Sequence, residues 1–126
     1  MNRIASGMVV LLLCALVGCG SPLVIGTRTF DSGIEFDLSP GVLRSSSATV
    51  RGLTVREFQD GKPGEHLCKI LLPADRPSVP LRLWRYGEVP PGFEAPFPCA
   101  RLEKGKRYLF TVLGPAVYSF KEFTAP

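Results

Sequence analysis

The spacing of prolines is the feature that most restricts the fold of this chain. The 126 residues include 12 prolines and 13 glycines, and every proline lies beyond residue 21. Proline inside a helix removes a backbone hydrogen bond and clashes with the preceding turn. Apolar and polar residues alternate over short runs instead of recurring at helical spacing. The sequence therefore predicts an all-β fold, a small antiparallel β-sandwich of about seven strands, immunoglobulin-like or transthyretin-like.

Short alternating segments carry the expected strands. Ile34–Leu38 alternates apolar and acidic residues, which is typical of a strand with one face in solvent. Residues 48–58 predict a longer strand in which Gly52 is the candidate for a bulge. Residues 60–64 predict a turn, and Gly114-Pro115 predicts a hairpin connection. The remaining expected strands are 67–72, 81–86, 108–113 and 117–123, with a short one over 99–102.

The start of the chain differs from the rest. Arg3 is followed by fifteen uncharged residues, 4–18, fewer than the about 20 apolar residues that a membrane span needs. One positive charge, a short apolar stretch and small residues at its end are typical of a secretory signal peptide. An ordinary anchor helix with a chance cysteine is the alternative. The end of this segment, Leu16-Val17-Gly18-Cys19, resembles the lipobox of bacterial lipoproteins.

The lipobox resemblance implies a processing route and a location. Residues 1–18 would be removed, Cys19 would carry a diacylglycerol, and its new amine would be acylated, for example with palmitate. Several acyl chains hold a protein firmly on a membrane. Gly20 stands where an Asp retains lipoproteins at the inner membrane, so we expect the periplasmic side of the outer membrane. The expected organisation is a signal peptide over 1–18, a lipidated cysteine and tether over 19–33, and a sandwich over 34–126.

The residues beyond position 18 fit one exported domain with a mixed surface. Removing 1–18 leaves 108 residues, enough for one domain. Without Arg3, 14 basic residues face 11 acidic ones, a net charge of +3. So small an excess is typical of a solvated surface, and we expect no nucleic-acid partner.

Two cysteines remain available to pair. Of the four cysteines, Cys14 leaves with the signal peptide and Cys19 carries lipid. In an oxidising compartment Cys68 and Cys99 are expected to form a disulfide, worth roughly 3 to 4 kcal/mol in the chain-entropy model. A metal or catalytic thiol is the alternative, although His66 is the only histidine.

The sequence is poor in catalytic residues, and we expect neither an enzyme nor a metal or other cofactor. The motifs of serine hydrolases, zinc proteases and phosphate-binding loops are absent. His66 and Cys68 would share one face of a strand, but the disulfide is the stronger interpretation of Cys68. Glu35 and Asp37 also share a face, as carboxylates on a solvent-facing strand commonly do.

A protein-binding surface has more support, because Arg, Trp and Tyr are enriched at interface hot spots. If Leu81 and Leu83 face the core, the opposite face presents Arg82, Trp84 and Tyr86. The other interpretation, which we favour, is that Trp84, the single Trp, is buried with the strand covered on both faces.

The loop over residues 87–98 offers a second candidate surface. Its four prolines restrict the backbone, and loops on rigid scaffolds often carry function. Phe93 and Phe97 are either packing anchors of a crossover pinned to the sandwich or exposed contacts. A further group of cations either forms a basic surface or protects an edge strand from pairing: Arg101, Lys104, Lys106 and Arg107.

The second half of the chain supports a further resemblance. After Cys99, residues 102–123 read LEKGKRYLFTVLGPAVYSFKEF. This pattern resembles small periplasmic lipoproteins proposed as immunity proteins of type VI secretion systems. The matching positions are Cys99, Leu102, Gly105, Tyr108, Tyr118, Phe120 and Phe123. The resemblance implies a role in blocking an incoming toxin, and it transfers no binding residue.

We therefore expect a lipid-anchored periplasmic lipoprotein that works by binding another protein, as an immunity protein that neutralises a secreted toxin. The alternative is a structural or assembly lipoprotein of an envelope or secretion complex. An immunity protein of this kind is expected to plug a cleft with one protruding loop, for which residues 87–98 are the candidate. An assembly lipoprotein is expected to use broad strand faces.

Overall fold

The computed structural model describes residues 23–31, 33–40, 47–115 and 118–126, and it confirms an all-β sandwich. The signal peptide and Cys19 lie outside these residues. Within them no helix is long and apolar enough to cross a membrane. The strands of the described ranges are β1 (Leu23–Phe30), β2 (Gly33–Pro40), β3 (Ala48–Val50), β4 (Gly52–Gln59), β5 (Lys62–Leu71), β6 (Val79–Leu81), β7 (Leu83–Arg85), β8 (Arg107–Leu113) and β9 (Tyr118–Thr124).

The strands form antiparallel sheets in two layers. One layer contains the sheet β1-β2-β7, and the short pair β3-β6 leads into it where β6 continues into β7. The other layer is the four-stranded sheet β5-β4-β8-β9. At one end, which we call the tether end, the Leu23 backbone N–H donates to Ser119 Oγ at 3.1 Å. At the opposite end, the cleft end, Phe30 pairs with Gly33 across the β1–β2 turn.

Aromatic rings from both layers fill the space between the sheets. Phe36 of β2 lies 4.1 Å from Phe110 of β8 and 5.1 Å from Phe123 of β9, centroid to centroid. Trp84 of β7 stacks on the same Phe110 at 5.3 Å, and its indole N–H donates to the Glu88 carbonyl at 2.8 Å. Aromatic contacts add to the area term of burial, so these rings join the two sheets.

The tether expected over 19–33 is wrong for residues 23–30, which form β1. These residues pair with the whole of β2, from Leu23 opposite Pro40 to Phe30 opposite Gly33. Ile25 is buried opposite Leu38. The glycines and Pro22 suggested a linker, but the pairing with β2 and the burial of Ile25 hold the segment in the sheet.

Two expected single strands are each divided by an arginine. Residues 48–58 separate at Arg51, not at Gly52, and the chain passes there from one layer to the other. The Arg51 guanidinium donates to the carbonyls of Pro73 and Arg76, at 3.1 and 2.9 Å. Residues 81–86 separate at Arg82, whose carbonyl accepts from the Leu38 N–H.

Turn and loop predictions have mixed outcomes. The turn expected over 60–64 is confined to Asp60 and Gly61, both with positive φ, as in the tight hairpin turns that favour Asp-Gly. The hairpin between β8 and β9 is confirmed. The short strand expected over 99–102 is wrong, because that segment runs outside the sheets.

The Cys68–Cys99 disulfide is confirmed, and it fastens the 87–98 loop to the edge of β5. Leu71 and Glu94 exchange backbone hydrogen bonds at 2.8 and 2.9 Å, and the Ala100 N–H donates to the Leu67 carbonyl. The loop thus covers an edge strand that would otherwise be open to pairing.

The aromatic cluster predicts a large difference between two phenylalanines. Phe110→Ala should reduce the free energy of unfolding by about 3 to 5 kcal/mol, because Phe110 is fully buried between both sheets. Phe120→Ala, at a ring that is 61% exposed, should change it by no more than about 0.5 kcal/mol. Urea unfolding with the disulfide intact measures both, and equal losses would contradict the described core.

Candidate functional site

A cleft of about 550 Å³ opens at the cleft end of the sandwich. Four separate parts of the chain meet there: the β1–β2 turn, the residue after β7, the segment after the disulfide, and the residues after β9. Its floor is apolar and its rim carries opposite charges. The lining residues are Phe30, Asp31, Gly33, Ile34, Tyr86, Arg101, Leu102, Lys104, Ala125 and Pro126.

The 99–106 segment, which forms one wall, is fixed at several points. Cys99 is held by the disulfide. The Glu103 N–H donates to the Tyr108 hydroxyl at 2.8 Å, and the Gly105 N–H donates to the Ala125 carbonyl at 2.9 Å. Gly105 has positive φ within a turn closed by a hydrogen bond from Lys106 to Glu103. A wall fixed in this way presents its side chains with little ordering cost on binding.

Two of the four cations near this segment are neutralised by acidic partners. Lys106 Nζ lies 3.2 Å from Glu57, and a hydrogen bond to that carboxylate, with the charge of Glu103 nearby, raises the pKa of Lys106. Arg107 lies 2.7 Å from Glu122. Arg101 and Lys104 line the cleft and form no ion pair within the described residues. The basic group expected from the sequence therefore reduces to this pair.

Tyr86 links the cleft to the core. Its ring packs edge-on to Trp84 at 5.9 Å, and its hydroxyl donates to the Ala100 carbonyl. Burial raises the pKa of Tyr86 to about 12, with a smaller contribution from Tyr108. The phenol is therefore protonated at neutral pH and fixes the start of the 99–106 segment.

Two of the five candidate binding residues are buried, as the alternative interpretation of each predicted. Trp84 is only 1% exposed and Phe93 only 7%, so neither is available to a partner. At Arg82 the chain stops pairing with β3 and starts pairing with β2. If Leu81 and Leu83 had faced the core together, Trp84 would have faced solvent; instead Leu83 faces solvent and Trp84 faces the core. Phe93 is buried by a Pro-Pro-Gly-Phe turn in which Gly92 has positive φ.

The other three candidates have different surroundings. Tyr86 lines the cleft. Arg82 is exposed and lies 3.8 Å from Asp37. Phe97 is 37% exposed in the loop over β5 and does not line the cleft. The structure thus brings one of the five predicted residues together with Arg101 and Lys104.

The residue pairs considered for catalysis are separated or neutralised. Between β4 and β5 the register shifts so that Val55 opposes Cys68 and Arg56 opposes His66. Cys68 is therefore buried while His66 is exposed. The pKa of His66 is lowered by partial desolvation and, to a smaller extent, by the positive charges of Arg56 and Lys69. Glu35, which is buried, pairs with Arg28 and Arg85 at 3.1 and 3.2 Å.

No metal site is formed by the parts of the chain that the structure describes: no group of three His, Cys, Asp or Glu side chains lies close enough to hold an ion. Comparison with protein-family models, with curated proteins and with solved structures gave no match to this chain.

Tyr86 gives a testable pH dependence. Because its pKa is raised from about 10 in the unfolded chain to about 12, its contribution to stability is complete below pH 10 and is lost as the pH rises through the folded value. Tyr86→Phe should be less stable than the unchanged protein by about 1 kcal/mol at neutral pH, since it loses a hydrogen bond. The difference should shrink between about pH 10 and about pH 12 in urea unfolding. A constant difference over that range would contradict the assignment.

Proposed function

We propose that this chain is a lipid-anchored envelope protein that binds another protein through the cleft. The observation that carries the proposal is the pair Arg101 and Lys104 on a fixed wall of the cleft. They form no ion pair among the described residues and outnumber Asp31, the one acidic residue of the lining. Concave sites with an apolar floor and a few placed polar groups are the usual form of binding sites. An acidic segment of a partner, with an apolar side chain for the floor, matches these groups.

The shape of the site favours a resident component of an envelope complex over a secreted toxin. The immunity interpretation expects a protruding loop, and residues 87–98 are the candidate. That loop lies along β5, with backbone hydrogen bonds to Leu71 and with Phe93 buried. The cleft of this protein can receive a segment of its partner, whereas an immunity protein of the expected kind would insert its own loop into the cleft of a toxin. We therefore propose the structural or assembly role first and the immunity role second.

The partner is identified by crosslinking the protein in its own envelope. Ala125 and Pro126 line the cleft, so a C-terminal tag would obstruct it, and capture should use antibodies against the exposed residues 74–77. The preparation is made from cells alone and from cells in contact with neighbours of their own strain. A resident partner recovered in both supports the assembly role. A toxin domain recovered only on contact with neighbours would replace that role with immunity.

The cleft itself is tested by a charge reversal with a matched control. Lys104→Glu should lower the recovered partner about tenfold, because it places a carboxylate where an acidic segment binds. Lys62→Glu makes the same change at an exposed residue of the β4–β5 turn region, outside the cleft, and should leave recovery unchanged. Equal recovery with Lys104→Glu and with the unchanged protein would contradict the assignment of the cleft.

A further inference from the structure

The outer face of the four-stranded sheet changes in character along its length. Aligned positions of β5, β4, β8 and β9 form rows across this face. The row nearest the tether end carries no charged residue, the next carries one cation, and the third carries charges of both signs. In that order the rows are Leu71, Gly52, Leu113 and Tyr118; Lys69, Thr54, Thr111 and Phe120; and His66, Arg56, Leu109 and Glu122.

At the β9 edge of this face two aromatic rings are exposed to solvent, whereas Thr54 and Thr111 in the middle of the face are buried. Tyr118 is 66% exposed and Phe120 is 61% exposed. Leu71 and Leu113 are half-buried and approach each other above Gly52, where a Cβ atom would lie 2.7 and 3.0 Å from their methyl groups. We call Leu71, Leu113, Tyr118 and Phe120 the tether-end patch.

The path of the chain places this patch beside the proposed lipid anchor. The Leu23 N–H donates to Ser119 Oγ at 3.1 Å, and Ser119 lies between Tyr118 and Phe120. Cys19 is four residues before Leu23, and four residues span at most about 14 Å. A lipid on Cys19 would therefore be attached within about 14 Å of Leu23, beside the β9 edge of the sheet that carries Tyr118 and Phe120, whatever path those residues take.

We propose that the tether-end patch rests in the interfacial region of the bilayer that holds the Cys19 lipid. Tyrosine and phenylalanine suit this region, where an apolar ring meets water and headgroups. Lys69, in the second row, forms no ion pair within the described residues and can approach anionic headgroups. The charged third row would lie farther from the bilayer. β1 extends about 23 Å from Leu23, so the cleft opens away from the membrane.

This inference rests on the proposed lipid anchor, and the experiment separates the two. The lipidated protein is placed in vesicles of phosphatidylethanolamine and phosphatidylglycerol, with the photoreactive benzoylphenylalanine at position 120 or at position 30. Phe30 is the matched control, because it is an exposed phenylalanine at the cleft end. Intact mass reports the lipid on Cys19 before irradiation, and oxidation of Cys68 and Cys99 reports folding.

Position 120 should give about tenfold more phospholipid adduct than position 30, because only the side chain at position 120 reaches the bilayer interface. A lipidated and folded protein with equal yields at the two positions would overturn the membrane-facing patch and leave the anchor in place. An unmodified Cys19 would overturn the anchor itself, and with it the stated orientation.

Discussion

The packing of Phe36 between the sheets is the interaction on which the other features depend. Its ring contacts Trp84 within its own sheet and Phe110 and Phe123 across the interior. Facing strands must keep their parity for these rings to meet, because a shift of one residue would turn each of them to solvent. The position of Trp84 in turn sets the direction of Leu83 and Arg85, which face outward.

The cleft follows from this core and from the disulfide. Tyr86 directly follows β7 and packs against Trp84, so the core fixes one wall of the cleft. Cys99, tied to the buried Cys68, fixes the start of the opposite wall. Arg101 and Lys104 are thus presented by backbone that both constraints hold. The residues that close the sandwich thus also position the charges of the candidate site.

The alternating pattern located the strands β2, β8 and β9, but it did not say which of their faces is buried: Glu35 and Ser119 are buried, whereas Tyr118 and Phe120 are exposed. It failed at residues 81–86, because the chain changes partners at Arg82 and the parity of Trp84 depends on pairing with Phe36. It failed at β1 because only Ile25 of that strand is buried, which leaves almost no apolar signal. The cleft was beyond prediction, since its walls come from segments that only the folded sheets bring together, although the cations at 101 and 104 were singled out.

The central claim is that this sandwich is held on a membrane by lipid at Cys19, since the compartment, the oxidised cysteines and the orientation of the cleft all depend on it. The most direct measurement is mass spectrometry of the N-terminal peptide of the protein extracted from its own membranes. We predict a peptide that begins at Cys19 and carries a diacylglycerol and an amide-linked acyl chain. A peptide that retains residues 1–18, or one with an unmodified Cys19, would contradict the account.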